Sequence, residues 1–360
     1  MNRTTLKVNI CDDYEPDSKA GVKTEWLKTL LADKYELVFC DAPDFLFCSN
    51  FGVDFLRYEN CVKIFFYTEN FIPDFNYYDY AIGMHDIKFG DRHLYIPYYY
   101  QFLEMPWRDR SCLDDSLARR KFCNFIYWND SLKGGAGLRQ EFCKKLAGYK
   151  HVDCPGRVLN NMSNAISDRY SLDWVSGKID FIRNYKFTIA FENNSQFGYT
   201  TEKLYQPFMA DSIPIYWGNP DVTRDFNPKA FINCNDYDND FDAVIKRVVE
   251  LDNDDEQYMR MLRENPLNET QYENYSEKIK NYLVQIIERG NKPFFKTKRW
   301  SVEGRYFVSH ENIVIARYYW YLLKYYTYKL PYTIFGKKRL AKKVNKYMNL
   351  MDIIKTWRRG

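Results

Sequence analysis

Glu202 and Lys203 stand side by side in "FGYTTEKLYQPFMAD" (197–211), between two apolar runs, "KFTIAF" (186–191) and "IPIYWG" (213–218). An apolar run, a loop holding Gly198, an amphipathic segment opening near Thr200 and a second apolar run predict a strand–helix–strand unit. There the helix start offers free N–H groups and the positive end of its dipole, where phosphates bind readily. A carboxylate in that first turn can take both hydroxyls of a ribose, and a neighbouring lysine can neutralise a diphosphate. The same residues also suit an ordinary helix start, since Glu202 complements the dipole and Thr200 is a good N-cap. "FGYTTEK" is neither a P-loop nor GxGxxG, so on spacing alone both readings stand.

Two further residues could join such a site. Arg139 falls early in "GLRQEFCKKL" (137–146), after the Gly-rich "GGAG" (134–137), which reads as a turn. Its planar fork suits a bidentate phosphate contact, although a surface helix arginine fits the position too. Glu69 follows "CVKIFFYT" (61–68) and is expected at the carboxyl end of a strand. A solvent-exposed loop acid is the alternative there.

Metal ligation has little support. Asp236, Asp238, Asp240 and Asp242 give overlapping D-x-D patterns, but they lie directly before "FDAVIKRVVEL" and read as a solvated turn and helix cap. His85, His93, His151 and His310 include no pair with metal-ligand spacing on a helix face.

Continuous apolar runs carry these residues. "LKVNIC", "ELVFC", "FLFCS", "CVKIFFYT", "YAIGM" and "LYIPYY" read as strands, with one helix, "TEWLKTLLADK", early among them. Such runs suggest strands covered on both faces, as in a parallel α/β sheet. A polar, Pro-broken stretch, "QFLEMPWRDRSCLDD", reads as a linker. A second α/β pattern then runs from "KFCNFIYW" to "FDAVIKRVVELDN". The expected division is an N-terminal domain over 1–110, a second over 118–300 and an aromatic, basic tail over 301–360.

The 360 residues are 46% hydrophobic and 18% aromatic, with 32 Tyr, which suits a packed core and surfaces that stack on ring-shaped ligands. Nine scattered cysteines form no CxxC pair, so neither a disulfide framework nor a zinc knuckle is indicated. No leader pattern and no stretch of ~18 apolar residues stands out, so the expected location is cytoplasmic. Residues 311–360 hold twelve Lys/Arg against Glu311 and Asp352, a charge of +10 that leaves the rest at −6. An acidic body with a basic tail argues against a nucleic-acid groove running through the fold and for an anionic partner met by the tail alone. Leu340, Val344, Tyr347, Met351 and Ile354 give that tail an amphipathic basic helix, suited to a membrane surface or to packing on the body.

The segment "KFTIAFENNSQFGYTTEKLYQPFMADSIPIYWGNPDVTRDFNPKAF" resembles the signature block of the α-1,3-fucosyltransferases of glycosyltransferase family 10. "FFYTENFIPDFNYYDYAIG" (65–83), "KFCNFIYWND" (121–130), "GLRQEF" (137–142) and "RENPLN" (263–268) extend the likeness over most of 60–270. The resemblance implies a GT-B fold, with two Rossmann-like domains facing a cleft and the donor held by the second. It implies transfer of L-fucose from GDP-β-L-fucose, with inversion, to N-acetylglucosamine in a lactosamine-type glycan. By position Glu202 would hold the ribose, and Lys203 and Arg139 the pyrophosphate. Asn193 and Tyr199 would line the fucose and phosphate end, and Glu69 would be the catalytic base. Inversion by one displacement needs one base and a means of stabilising the departing diphosphate. Two cations and a helix dipole can replace a metal, so none is required, though diphosphates leave room for stimulation by Mn²⁺ or Mg²⁺. Basic amphipathic tails recur among bacterial relatives, so the resemblance places the protein peripherally at the inner membrane face. A transferase using another nucleotide sugar, and a silent glycan- or membrane-binding protein, are the rival readings.

Overall fold

The computed structural model describes residues 3–12, 24–50, 52–101, 109–162, 174–268 and 274–294, with Trp320 and Leu323. These divide into two compact units, Met1–Gly83 with Ile87–Leu94 and Ser276–Gly360, and Met84–Asp86 with Tyr95–Tyr275.

The first unit is built on β1 (Thr4–Cys11), β2 (Tyr35–Phe39), β3 (Phe45–Cys48), β4 (Val62–Tyr67), β5 (Tyr80–Gly83) and β6 (His93–Tyr95), with α1 (Thr24–Leu31) between β1 and β2. The strands lie in the order β2-β1-β3-β4-β5-β6, and the pairs among the first five are parallel. All of β3 and β5 and most of β4 are buried, as their unbroken apolar sequences require. "LYIPYY" yields only the short β6. Pro97 can donate no ladder hydrogen bond, and residues Tyr98–Gln101 wind into a 3₁₀ turn.

Beyond β1 the chain turns at Asp12, whose φ is +61°. Its carboxylate accepts the N–H groups of Asp54 (2.8 Å) and Phe55 (2.9 Å), tying β1 to the 3₁₀ turn Asp54–Arg57. Burial, opposed by those two N–H donors, pushes the Asp12 carboxyl up to about 6. A raised carboxyl contributes stability below its unfolded pKa and loses it as pH rises through the folded one. Over this window the loss amounts to about 3 kcal/mol at most. Carbon-13 NMR of the aspartate carboxyls should find one titrating near 6. A midpoint for Asp12 at the usual aspartate value would contradict this.

The second unit carries β7 (Lys121–Asn124), α2 (Gly134–Ala147), β8 (Val152–Asp153), α3 (Trp174–Ile182), β9 (Tyr185–Phe191), α4 (Glu202–Met209), β10 (Ile213–Trp217), β11 (Ile232–Asn233), α5 (Phe241–Asp252) and α6 (Asp255–Arg263). Its parallel sheet runs β11-β10-β9-β7-β8, with β9 central and buried throughout. Phe142, Phe187, Phe191, Val244 and Tyr258 pack the helices onto it. The acidic run before α5 is a cap, as expected: Asp240 accepts the N–H groups of Asp242 (2.9 Å) and Ala243 (3.5 Å).

The two compact units are grouped differently from the expected division at both ends. Residues 95–101 and 109–110 group with the second unit, not the first, and 276–294 with the first, not the second. The helix α7 (Tyr275–Glu288) explains the latter. Tyr282 packs edge-on to Tyr80 (6.2 Å) and donates to Asp91 O (2.9 Å), Lys280 pairs with Asp33 (2.8 Å), and Phe294 N–H reaches Asp79 (2.7 Å). The tail helix expected within 301–360 lies outside the described residues.

Candidate active site

At the carboxyl edge of the second sheet, β9 runs into Glu192, whose N–H donates to Trp217 O (2.8 Å) of β10. Glu192 is fully buried. Its carboxylate accepts Thr201 N–H (2.7 Å) and the Thr201 hydroxyl (2.8–2.9 Å), and lies 3.2 Å from Lys203 Nζ. Thr201, not Thr200, is the N-cap of α4, and its hydroxyl is spent on Glu192 instead of on the helix. Lys203 Nζ also donates to Glu202 Oε1 (3.2 Å) and Thr201 Oγ1 (2.9 Å). The lysine is therefore held between two carboxylates at the start of a helix.

The charges follow from that arrangement. Burial opposes the Lys203 ammonium, but Glu192 and Glu202 lift it well above the usual lysine value, so it is charged. Burial raises Glu192, with Lys203 pulling the other way. Glu202 keeps 36% of its side-chain surface exposed. Against the cost of its partial burial, Lys203 and Lys178 hold its carboxyl down to about 2. An ionised carboxylate facing outward at a helix start is what a ribose diol needs.

Arg139 enters from α2. The glycines expected to form a turn before this helix instead lie inside its first turn. A Cβ on Gly135 would fall 2.1 Å from Glu192 O and 2.7 Å from the Trp217 ring, so only glycine lets α2 approach this edge. Arg139 is 1% exposed, lies over the Tyr127 ring at 3.9 Å, and donates to Asn193 Oδ1 (2.8 Å) and Asn129 O (3.0 Å). Its Nε–H is buried with no partner, and no carboxylate lies within 4.0 Å of it among the described residues. Burial pulls its pKa below the usual arginine value, with Tyr127 and Glu192 opposing. A buried guanidinium with a spare donor and no counter-ion is a place for an anion.

Tyr199 follows Gly198, whose φ of +81° and lack of room for a Cβ, 2.3 Å from Met84 O, again demand glycine. The Tyr199 side chain is buried, two residues before the N-cap Thr201 of α4. Asn219 organises this loop, accepting Gly198 N–H (3.0 Å) and donating to Thr200 Oγ1 (3.0 Å).

Five of the six expected residues, Arg139, Asn193, Tyr199, Glu202 and Lys203, thus converge on one edge of the second sheet. Glu69 belongs to the first unit, two residues beyond β4, in a tight turn where its C=O accepts Phe71 N–H (2.7 Å); its side chain is exposed. Glu192, Tyr127 and Asn219 were missed. Among the described residues no group of His, Cys, Asp or Glu is arranged to hold a metal.

Two family descriptions match the chain: the N-terminal domain of alpha-(1,3)-fucosyltransferase FucT over residues 9–102, and the C-terminal region of glycosyltransferase family 10 (fucosyltransferase) over 119–293. The chain belongs to glycosyltransferase family 10. It is 30% identical to alpha-(1,3)-fucosyltransferase FucT of Helicobacter pylori over 332 residues, covering 79% of this chain and 66% of that protein. It is 33% identical to alpha-(1,3)-fucosyltransferase B of Drosophila melanogaster over 106 residues, 28% of this chain and 24% of that one. The chain therefore spans less than two thirds of either relative. A crystal structure of an alpha1,3-fucosyltransferase with GDP-fucose superposes with a TM-score of 0.62 at 25% identity, covering 83% of this chain and 94% of that one. One with GDP gives 0.60 at 27%, covering 80% and 91%. The second family region runs from β7 through α4, the elements that carry the site, and the first includes β4 and Glu69.

Proposed function

We propose that this family 10 protein is an inverting α-1,3-fucosyltransferase. It moves L-fucose from GDP-β-L-fucose to a hydroxyl of N-acetylglucosamine in a lactosamine-type glycan. The carrying observation is Arg139, a buried guanidinium with a spare N–H and, among the described residues, no carboxylate within ion-pair distance, bonded to Asn193 at the end of the strand whose Glu192 pairs with Lys203. Its form suits the diphosphate of a nucleotide sugar, and the relatives of known structure carry GDP or GDP-fucose in their descriptions. The parallel strand pairs in both sheets support the GT-B class.

In this reading Glu202 accepts the two ribose hydroxyls, while Asn193 and Tyr199 line the phosphate and fucose end. Glu69 takes the proton of the acceptor hydroxyl as its oxygen attacks the anomeric carbon. The bond from that carbon to the diphosphate breaks, and the developing charge is met by Arg139, Lys203 and the α4 dipole. Fixed cations of this kind need no metal, although Mn²⁺ or Mg²⁺ could still stimulate by binding the diphosphate. Transfer from GDP-fucose to lactosamine-type acceptors, run beside UDP- and ADP-linked sugars, tests the reading against another donor or a silent protein.

The proposal extends to place. The basic tail, with twelve Lys/Arg in residues 311–360, would hold the enzyme peripherally at the cytoplasmic face of a membrane. Removing 337–360 should abolish binding to anionic vesicles and leave transfer to soluble acceptors intact. A full-length chain that ignores such vesicles at low salt would contradict this.

A further inference from the structure

His85 is absorbed neither by the core nor by the roles assigned above. It lies in the segment Met84–Asp86, which groups with the second unit. It is 2% exposed, and its ring stacks on that of Tyr199, with an interplanar angle of 5° and centroids 5.7 Å apart. The segment is keyed to the turn that leads into Tyr199. Asp86 N–H donates to Phe197 O (3.0 Å), Arg224 pairs with Asp86 (3.1 Å), and Gly198 is packed so tightly against Met84 O and Asp86 N that no Cβ fits.

We propose that His85 is a positioning residue for the donor diphosphate: its ring fixes the plane of Tyr199 in the loop that leads into the α4 start, where the phosphates are received. This rests on the donor site assigned under Proposed function.

The chemistry of the pair suits that task. Tyr199 is buried two residues before the N-cap Thr201 of α4, so its ring orientation decides how the phenol is presented to a diphosphate held at that helix start. A ring stacked on the tyrosine restricts it to one plane, and offset parallel stacking contributes beyond plain burial. The stacking partner must also be uncharged, because a third cation would compete with Arg139 and Lys203 for the ligand. Burial, opposed by a hydrogen bond with Gln196, brings His85 down to about 4, which leaves a neutral imidazole near neutral pH. A flat, neutral, buried ring is thus what the site holds.

Two variants that both fill the buried space separate stacking from bulk: His85→Phe keeps a flat neutral ring, and His85→Leu removes it. Each would be compared with the full-length parent for GDP affinity by calorimetry, and for KM of GDP-fucose against kcat. The Leu variant should bind GDP about 4- to 12-fold more weakly, the Phe variant within about twofold of the parent, a range expected for a stacking contact. The loss should fall mainly on KM for the donor, and thermal unfolding of the two variants should agree. Parent-like GDP affinity in the Leu variant would overturn the inference. So would a Phe variant as weak as Leu, which would mean that the imidazole nitrogens matter and not the ring. A parent that binds no GDP would overturn the donor-site reading itself, and the inference with it.

Discussion

Glu69→Gln is expected to slow fucosyl transfer by about 10²–10⁴-fold, the usual cost of deleting a general base. GDP affinity should stay near the parent value, because Glu69 belongs to the first unit and every proposed donor contact to the second. The substitution is also structurally mild. The Glu69 side chain is exposed, and the turn it occupies is closed by its backbone C=O with Phe71 N–H (2.7 Å), which Gln preserves. A Gln variant that transfers at close to the parent rate would remove Glu69 from the mechanism, and Glu59 and Asp74 would be the next acids to test.

Arg139→Ala and Lys203→Ala should each weaken GDP binding by about 1.5–3 kcal/mol, the scale of a charge-assisted hydrogen bond. Their effects on stability should differ. Arg139 has no carboxylate partner among the described residues, so its removal costs stacking on Tyr127 (3.9 Å) and two hydrogen bonds, but leaves no orphaned charge among them. Removing Lys203 leaves the fully buried Glu192 with Thr201 as its remaining partner. Breaking a buried pair in this way costs about 3–5 kcal/mol of folding stability. Calorimetry with GDP in metal-free buffer, together with denaturant unfolding, checks both halves. Unchanged GDP affinity in both variants would sink the clamp, and equal stability losses would mean that Arg139 is a structural arginine after all.

Much of the site was legible because its residues are local in sequence. Glu202 and Lys203 open α4 straight after a strand and a glycine loop, and that order alone places them at the edge of a sheet. Arg139 was legible as an early helix residue, but its burial was not. That depends on Gly135, which allows α2 to close on Glu192 O, a contact 57 residues apart in the chain. Glu192 escaped because a Glu ending a strand ordinarily points to solvent, and its partners Thr201 and Lys203 come together only once the loop 193–200 folds back. The cap went to Thr201 for the same reason. The compact units depart from a contiguous division where the chain returns on itself: nothing in "YSEKIKNYLVQIIE" announces that this helix groups with the first unit. The short β6 shows a single Pro97 outweighing an otherwise convincing apolar run.

The most direct test of the account is to incubate the full-length protein with GDP-fucose and matched lactosamine and lacto-N-biose acceptors, without added metal, and to determine the linkage of any product. The account predicts release of GDP and an α-1,3-linked fucose on the N-acetylglucosamine of the lactosamine acceptor. Turnover of a different nucleotide sugar in its place, or no transfer by a protein that binds GDP, would contradict it.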